Sequence, residues 1–157
     1  MEDLEVKAIN NVIYGIISYQ GVMMKRLDLI KQIIARKGQL NITIENLAKL
    51  SGLGIRTVNR VLANEDVKLS TIESITNLLG LDFAGNEIVP LEELKKQRAK
   101  EKAIFMASLV QSTSALGMQG LDKENVNDII SMYEKEFLEG EYSNTLWVAD
   151  KGTLKPL

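Results

Sequence analysis

Arg56, Asn59 and Arg60 stand three and four residues apart in the run IRTVNRVLA, residues 55–63, which contains no carboxylate. A guanidinium presents a planar fork of N–H donors, and a carboxamide sets donors beside an acceptor. Side chains spaced i, i+3 and i+4 share one helix face, so a helical run would gather these three groups into one patch. Such a patch suits flat partners with paired hydrogen-bonding atoms, guanine O6 and N7 for arginine and adenine N6 and N7 for asparagine. Ile55 adds an aliphatic group able to touch a thymine methyl. The competing reading is an ordinary solvated face, which seldom carries Arg-x-x-Asn-Arg without an acid.

The elements that must position this patch are legible around it. At about 100° per residue, Thr57, Val58, Val61 and Leu62 occupy one half of the helix and Ile55, Arg56, Asn59, Arg60 and Ala63 the other. The preceding segment IENLAKLS follows Thr43, a suitable N-cap, and ends at Gly52, where a left-handed backbone favours glycine. Ala48 is small enough for close approach of the two helices, and Leu47, Leu53, Val58, Val61 and Leu62 supply an apolar wedge between them. This is the spacing of a helix-turn-helix.

Flanking segments read as further helices. Lys25 to Lys37 places Leu27, Ile30, Ile33 and Ile34 on one side, with Gly38 as the stop. After the polar turn Asn64-Glu65-Asp66, a helix capped by Ser70 or Thr71 carries Ile72, Ile75, Leu78 and Leu79 and ends at Gly80. Residues 85–90, with Gly85, Asn86 and Pro90, read as a linker. Beyond it lie a charged helix with alanines at 99, 103 and 107, the break GMQG, and a helix capped by Asp122 with Val126, Ile129, Ile130, Tyr133, Phe137 and Leu138 on one face. The reading is therefore all-α. A helical extension over 1–23 is predicted by Ile9, Val12, Ile13, Ile16 and Ile17. It is followed by a helix-turn-helix domain over 24–84, the linker, a helical dimerisation or partner-binding region over 91–140, and a tail over 141–157 that is mobile unless Trp147 docks.

Composition narrows the function. The 157 residues include no cysteine and no histidine, which removes disulfides, thiolate nucleophiles, the commonest metal ligand and the commonest general base. Carboxylate pairs such as Glu92-Glu93 and Asp122-Glu124 sit in capping or solvated settings without a phosphate loop or metal cluster. We expect no enzyme, no cofactor and no metal. The most apolar N-terminal run, VIYGII, is far shorter than the ~20 residues of a membrane helix, and a cytoplasmic location is expected. The net charge is −2, yet residues 24–71 hold nine basic and four acidic side chains, a net of +5 that leaves −7 for the rest. Such polarity fits one DNA-facing module and one acidic module.

The stretch TIENLAKLSGLGIRTVNRVL, residues 43–62, resembles the helix-turn-helix of bacterial repressors of the lac-repressor type, whose pattern runs T-x-x-x-V-A-x-x-A-G-V-S-x-x-T-V-S-R-V-L. The extension LSTIESITNLLGLDF is similar to the fourth helix of the Cro/CI-type (XRE) fold. Together, residues 24–83, under half the chain, resemble an XRE-like domain of four or five helices. The resemblance implies that Ile55, Arg56, Asn59 and Arg60 read bases. It also implies that Thr57 binds phosphate and that Thr43, Lys68 and Ser70 or Thr71, at helix N-termini, hold phosphates. Gly54 departs from the family's serine at the start of the recognition helix and forgoes a hydroxyl there.

The implied function is a sequence-specific transcriptional regulator, a repressor, binding double-stranded DNA as a homodimer. One alternative is an antitoxin that represses its own operon through this domain and binds a toxin through its C-terminal helices. Another is an interaction module that keeps the fold without touching DNA. The acidic C-terminal helices around Ala103 and Tyr133 are the expected protein-binding surface.

Overall fold

The computed structural model describes residues 26–116 and 122–150. The predicted extension over 1–23, the GMQG break and the last seven residues lie outside the described residues. The chain is all-α, with six α-helices among the described residues, α1 (Arg26–Gln39), α2 (Ile44–Ser51), α3 (Ile55–Leu62), α4 (Leu69–Leu79), α5 (Leu91–Leu116) and α6 (Lys123–Glu139), and a 3-10 turn at Ser143–Thr145. Its one β-type pairing among the described residues is a bridge between Leu81 and Glu87.

One backbone device ends each of the first four helices. A residue in the left-handed region follows the helix, and the next amide reaches back five residues to a carbonyl of the last turn. Ile42 N donates to Lys37 O, Leu53 N to Ala48 O, Glu65 N to Arg60 O and Leu81 N to Thr76 O. This is the Schellman arrangement, which satisfies carbonyls that have no intrahelical partner. Glycine occupies the left-handed position at Gly52 and Gly80, as expected, but asparagine takes it at Asn41 (φ 54°) and Asn64 (φ 59°). Gly38 therefore does not stop α1; it lies within the last turn, and the reversal waits for Asn41.

The buried face of α1 is also rotated from the expected one. Leu29, Ile30, Ile33 and Arg36 point inward, while Leu27 and Ile34 are 47% and 48% exposed. Arg36 explains the rotation. Its side chain is buried, and Nε donates to the Leu79 carbonyl at 3.0 Å, Nη1 to the Glu87 carboxylate and Nη2 to the Val89 carbonyl. A guanidinium leaves water only when its donors are met, and here the ends of α4 and of the following loop meet them.

That loop is held firmly where the sequence suggests a linker. Asp82 accepts from the amides of Ala84 and Asn86, both at 2.8 Å. A bond from the Asn86 side chain, followed by those amides, holds its carboxyl below the ordinary range. Ile88 and Val89 donate to the Gly80 carbonyl, and a β-carbon on Gly80 would lie 2.9 Å from that of Val89. The core runs on across the loop, from Ile33, Leu47, Val58, Val61 and Leu79 through Leu81 and Leu94 to Ala99, Phe137, Leu146 and Trp147.

α5 and α6 pack along each other, with Ala99, Ala103 and Ala107 buried in a strip that allows close approach. Asp122 caps α6 by accepting from Asn125 N at 2.8 Å. Trp147 docks, so the tail is fixed as far as residue 150. Arg98 donates to the carbonyls of Leu146 and Val148, and Lys102 to those of Thr145 and Val148. Both cations also face the Asp150 carboxylate, and the Ala149 amide donates to Asn46 on α2 at 3.2 Å.

Candidate nucleic-acid interface

α2 and α3 are eight residues each and are joined by Gly52, Leu53 and Gly54. Thr43 caps α2, its hydroxyl oxygen accepting from Asn46 N at 3.2 Å. The wedge forms as expected: Leu47, Ala48, Val58 and Val61 are buried, with Leu53 and Leu62 packed against them. With Val58 and Val61 fixed inside, the helical period turns Arg56, Asn59 and Arg60 outward. All three are exposed, as are Ile55 and Ala63. These five residues and Glu65 line one shallow depression on the surface.

The members of the patch differ in what they already touch. Arg56 and Asn59 make no side-chain hydrogen bond or ion pair within the described residues. Arg60 is engaged: Nε donates to Glu65 Oε2 at 2.9 Å and Nη2 to the Asp66 carbonyl at 2.7 Å. The expectation of an acid-free patch is thus corrected, because the left-handed turn at Asn64 swings Glu65 back beside Arg60. Arg26, at the start of α1, ties the same loop from the other side, donating to the Glu65 carbonyl and lying 3.6 Å from the Asp66 carboxylate. Glu65, Asp66 and Arg26 are the residues that sequence reasoning missed. The legible signal was Asn64, a residue that tolerates positive φ, placed to end α3.

The predicted phosphate-binding positions separate. Thr57 is half-buried on the first turn of α3, and Lys68 and Ser70 are exposed at the start of α4. α4 begins at Leu69, so Lys68 occupies the N-cap position and neither Ser70 nor Thr71 caps the helix. Thr71 is buried, 9% exposed, on the inner face with Ile72, Ile75, Thr76 and Leu79. Thr71 thus differs from the phosphate position expected of it, because α4 turns most of its side chain toward the core. Thr43 is exposed but committed to capping, and its hydroxyl also helps hold the neighbouring Glu45 carboxyl low, after that residue's own amide. An ionised Glu45 at this helix start works against an anion there. Gly54 leaves α3 without a side-chain cap.

On the two helices expected to bind a protein partner, Ala103 is buried and Tyr133 half-buried, whereas Ile104, Leu109 and Met132 are exposed among the described residues. Among the described residues, no helix is long and apolar enough to cross a membrane, and no acidic group is arranged to hold a metal ion. Comparison with protein-family models, with curated proteins and with solved structures finds no significant match to this chain.

Proposed function

We propose that this protein is a sequence-specific DNA-binding regulator, a repressor of the XRE-like kind, working in the cytoplasm as a homodimer. The observation that carries the reading is the division of α3: Val58 and Val61 are wholly buried while Arg56, Asn59 and Arg60 stand exposed on the opposite side. A short helix fixed by its inner face and furnished with base-edge donors on its outer face suits the major groove. Lys68, Ser70 and Thr57 flank it as phosphate contacts. The C-terminal helices, which leave Ile104, Leu109 and Met132 exposed, would join a second copy and set two such helices about 34 Å apart, one turn of DNA. The second reading gives those helices a toxin partner, in an autoregulating antitoxin. The test is binding to duplex DNA across a salt series, with selection from a random pool. Affinity whose logarithm falls linearly with log salt, and a palindromic consensus, are the expected results. Salt-independent or sequence-indifferent association would sink the reading in favour of an interaction module.

A further inference from the structure

We infer that Glu65 is a positioning residue for base recognition, holding Arg60 so that it reads one guanine with its outer N–H edge. The inference rests on the DNA-binding reading of α3 and adds the determinant of specificity at one base. In the Schellman ending, the residue two past the helix commonly makes an apolar contact with the residue five before it. At the other three endings that place is held by Ile42, Leu53 and Leu81, all packed into or against the core. After α3 it is held by Glu65, and an ion pair to Arg60 stands where the apolar contact would be.

The pair does little for stability. The Arg60 and Glu65 side chains are 49% and 55% exposed, and solvated pairs of this kind contribute little. A carboxylate at the edge of a phosphate-facing surface also costs general affinity for DNA. Orientation is what the contact supplies. With Nε bound to Glu65 and one N–H of Nη2 bound to Asp66 O, the guanidinium retains Nη1 and the second Nη2 proton, the pair of donors that matches O6 and N7 of guanine. A fork fixed before binding loses less side-chain freedom on contact.

The experiment is selection from a random duplex pool with the full chain and with Glu65→Gln, Arg60→Ala and the double variant, followed by affinities on the consensus and on each single-base change. The Arg60→Ala profile identifies the base that Arg60 reads. Glu65→Gln should lower discrimination at that base about tenfold, leave the other positions unchanged, and strengthen binding to random duplex. In the Arg60→Ala background, Glu65→Gln should have no further effect on that base. Unchanged or sharper discrimination in Glu65→Gln overturns the inference, as does an equal loss at every position, which would mark a fold-supporting role. Failure of the wild-type chain to enrich any sequence removes the DNA reading itself, a result distinct from those two.

Discussion

Two regions of this molecule use the same cations to opposite ends. On α5, Arg98 and Lys102 sit one turn apart and spend their donors on the carbonyls of residues 145, 146 and 148 and on Asp150, closing the tail onto the helix pair. Arg36 does likewise for the loop after α4. On α3, Arg56 has no partner among the described residues, and Arg60 is held there on one edge. The contrast shows that a basic residue is read by the acceptors around it and not by its charge. Arg36 counts toward the +5 of residues 24–71, yet it is buried and its donors are met by internal acceptors.

The comparison breaks first at Arg36. Arg36→Met should destabilise the fold by about 3 kcal/mol, since the Leu79 and Val89 carbonyls lose charged donors in a covered site, with a lowered urea midpoint as the readout. An unchanged midpoint would mean that the loop is held without it. Arg56→Ala should do the reverse, costing about 1–3 kcal/mol of binding to a selected site while the thermal midpoint stays put.

Lys102 sharpens the contrast through pH. Burial, ahead of the opposing pull of Asp150, holds its ammonium below the ordinary lysine value of 10.5. On raising the pH, the native chain therefore releases this proton before the unfolded chain does. Its contribution to stability grows as pH rises through the lowered value toward 10.5 and is lost again as pH falls. Lys102→Met should flatten that part of the alkaline stability profile, measured by denaturant titration at a series of pH values, and an unaltered slope would show that Lys102 titrates normally.

The smallest effect is expected at Gly54. Its backbone is extended (φ −74°), and a β-carbon there would meet Thr57 Oγ1 at an ordinary 3.9 Å. Gly54→Ser should therefore stabilise by a few tenths of a kcal/mol through capping, read as a small rise in thermal midpoint. A loss of stability would mean that the start of α3 needs glycine.

Much of this arrangement was legible beforehand. The apolar periods of α2, α3 and α6, the caps at Thr43 and Asp122 and the stops at Gly52 and Gly80 are local properties, set by side-chain spacing and by the cheapness of left-handed glycine. The asparagine stops were harder to read, because Asn41 and Asn64 are equally at home in ordinary turns. Misreading them displaced the end of α1 and hid Glu65 from the patch.

By itself, the sequence determined that the chain is helical, that α2 and α3 meet across a small-residue and glycine turn, and that Arg56, Asn59 and Arg60 share a face. Each of these follows from the 3.6-residue period and from backbone preferences acting within a few residues. Only the tertiary structure decided that Arg36 is internal and that Thr71 faces the core. It alone decided that residues 85–90 are fastened down, that Trp147 anchors the tail, and that Arg60 meets a carboxylate. Those outcomes depend on which carbonyls and carboxylates the chain brings together across turns and over long separations, and burial makes a side chain take whatever partners it finds there.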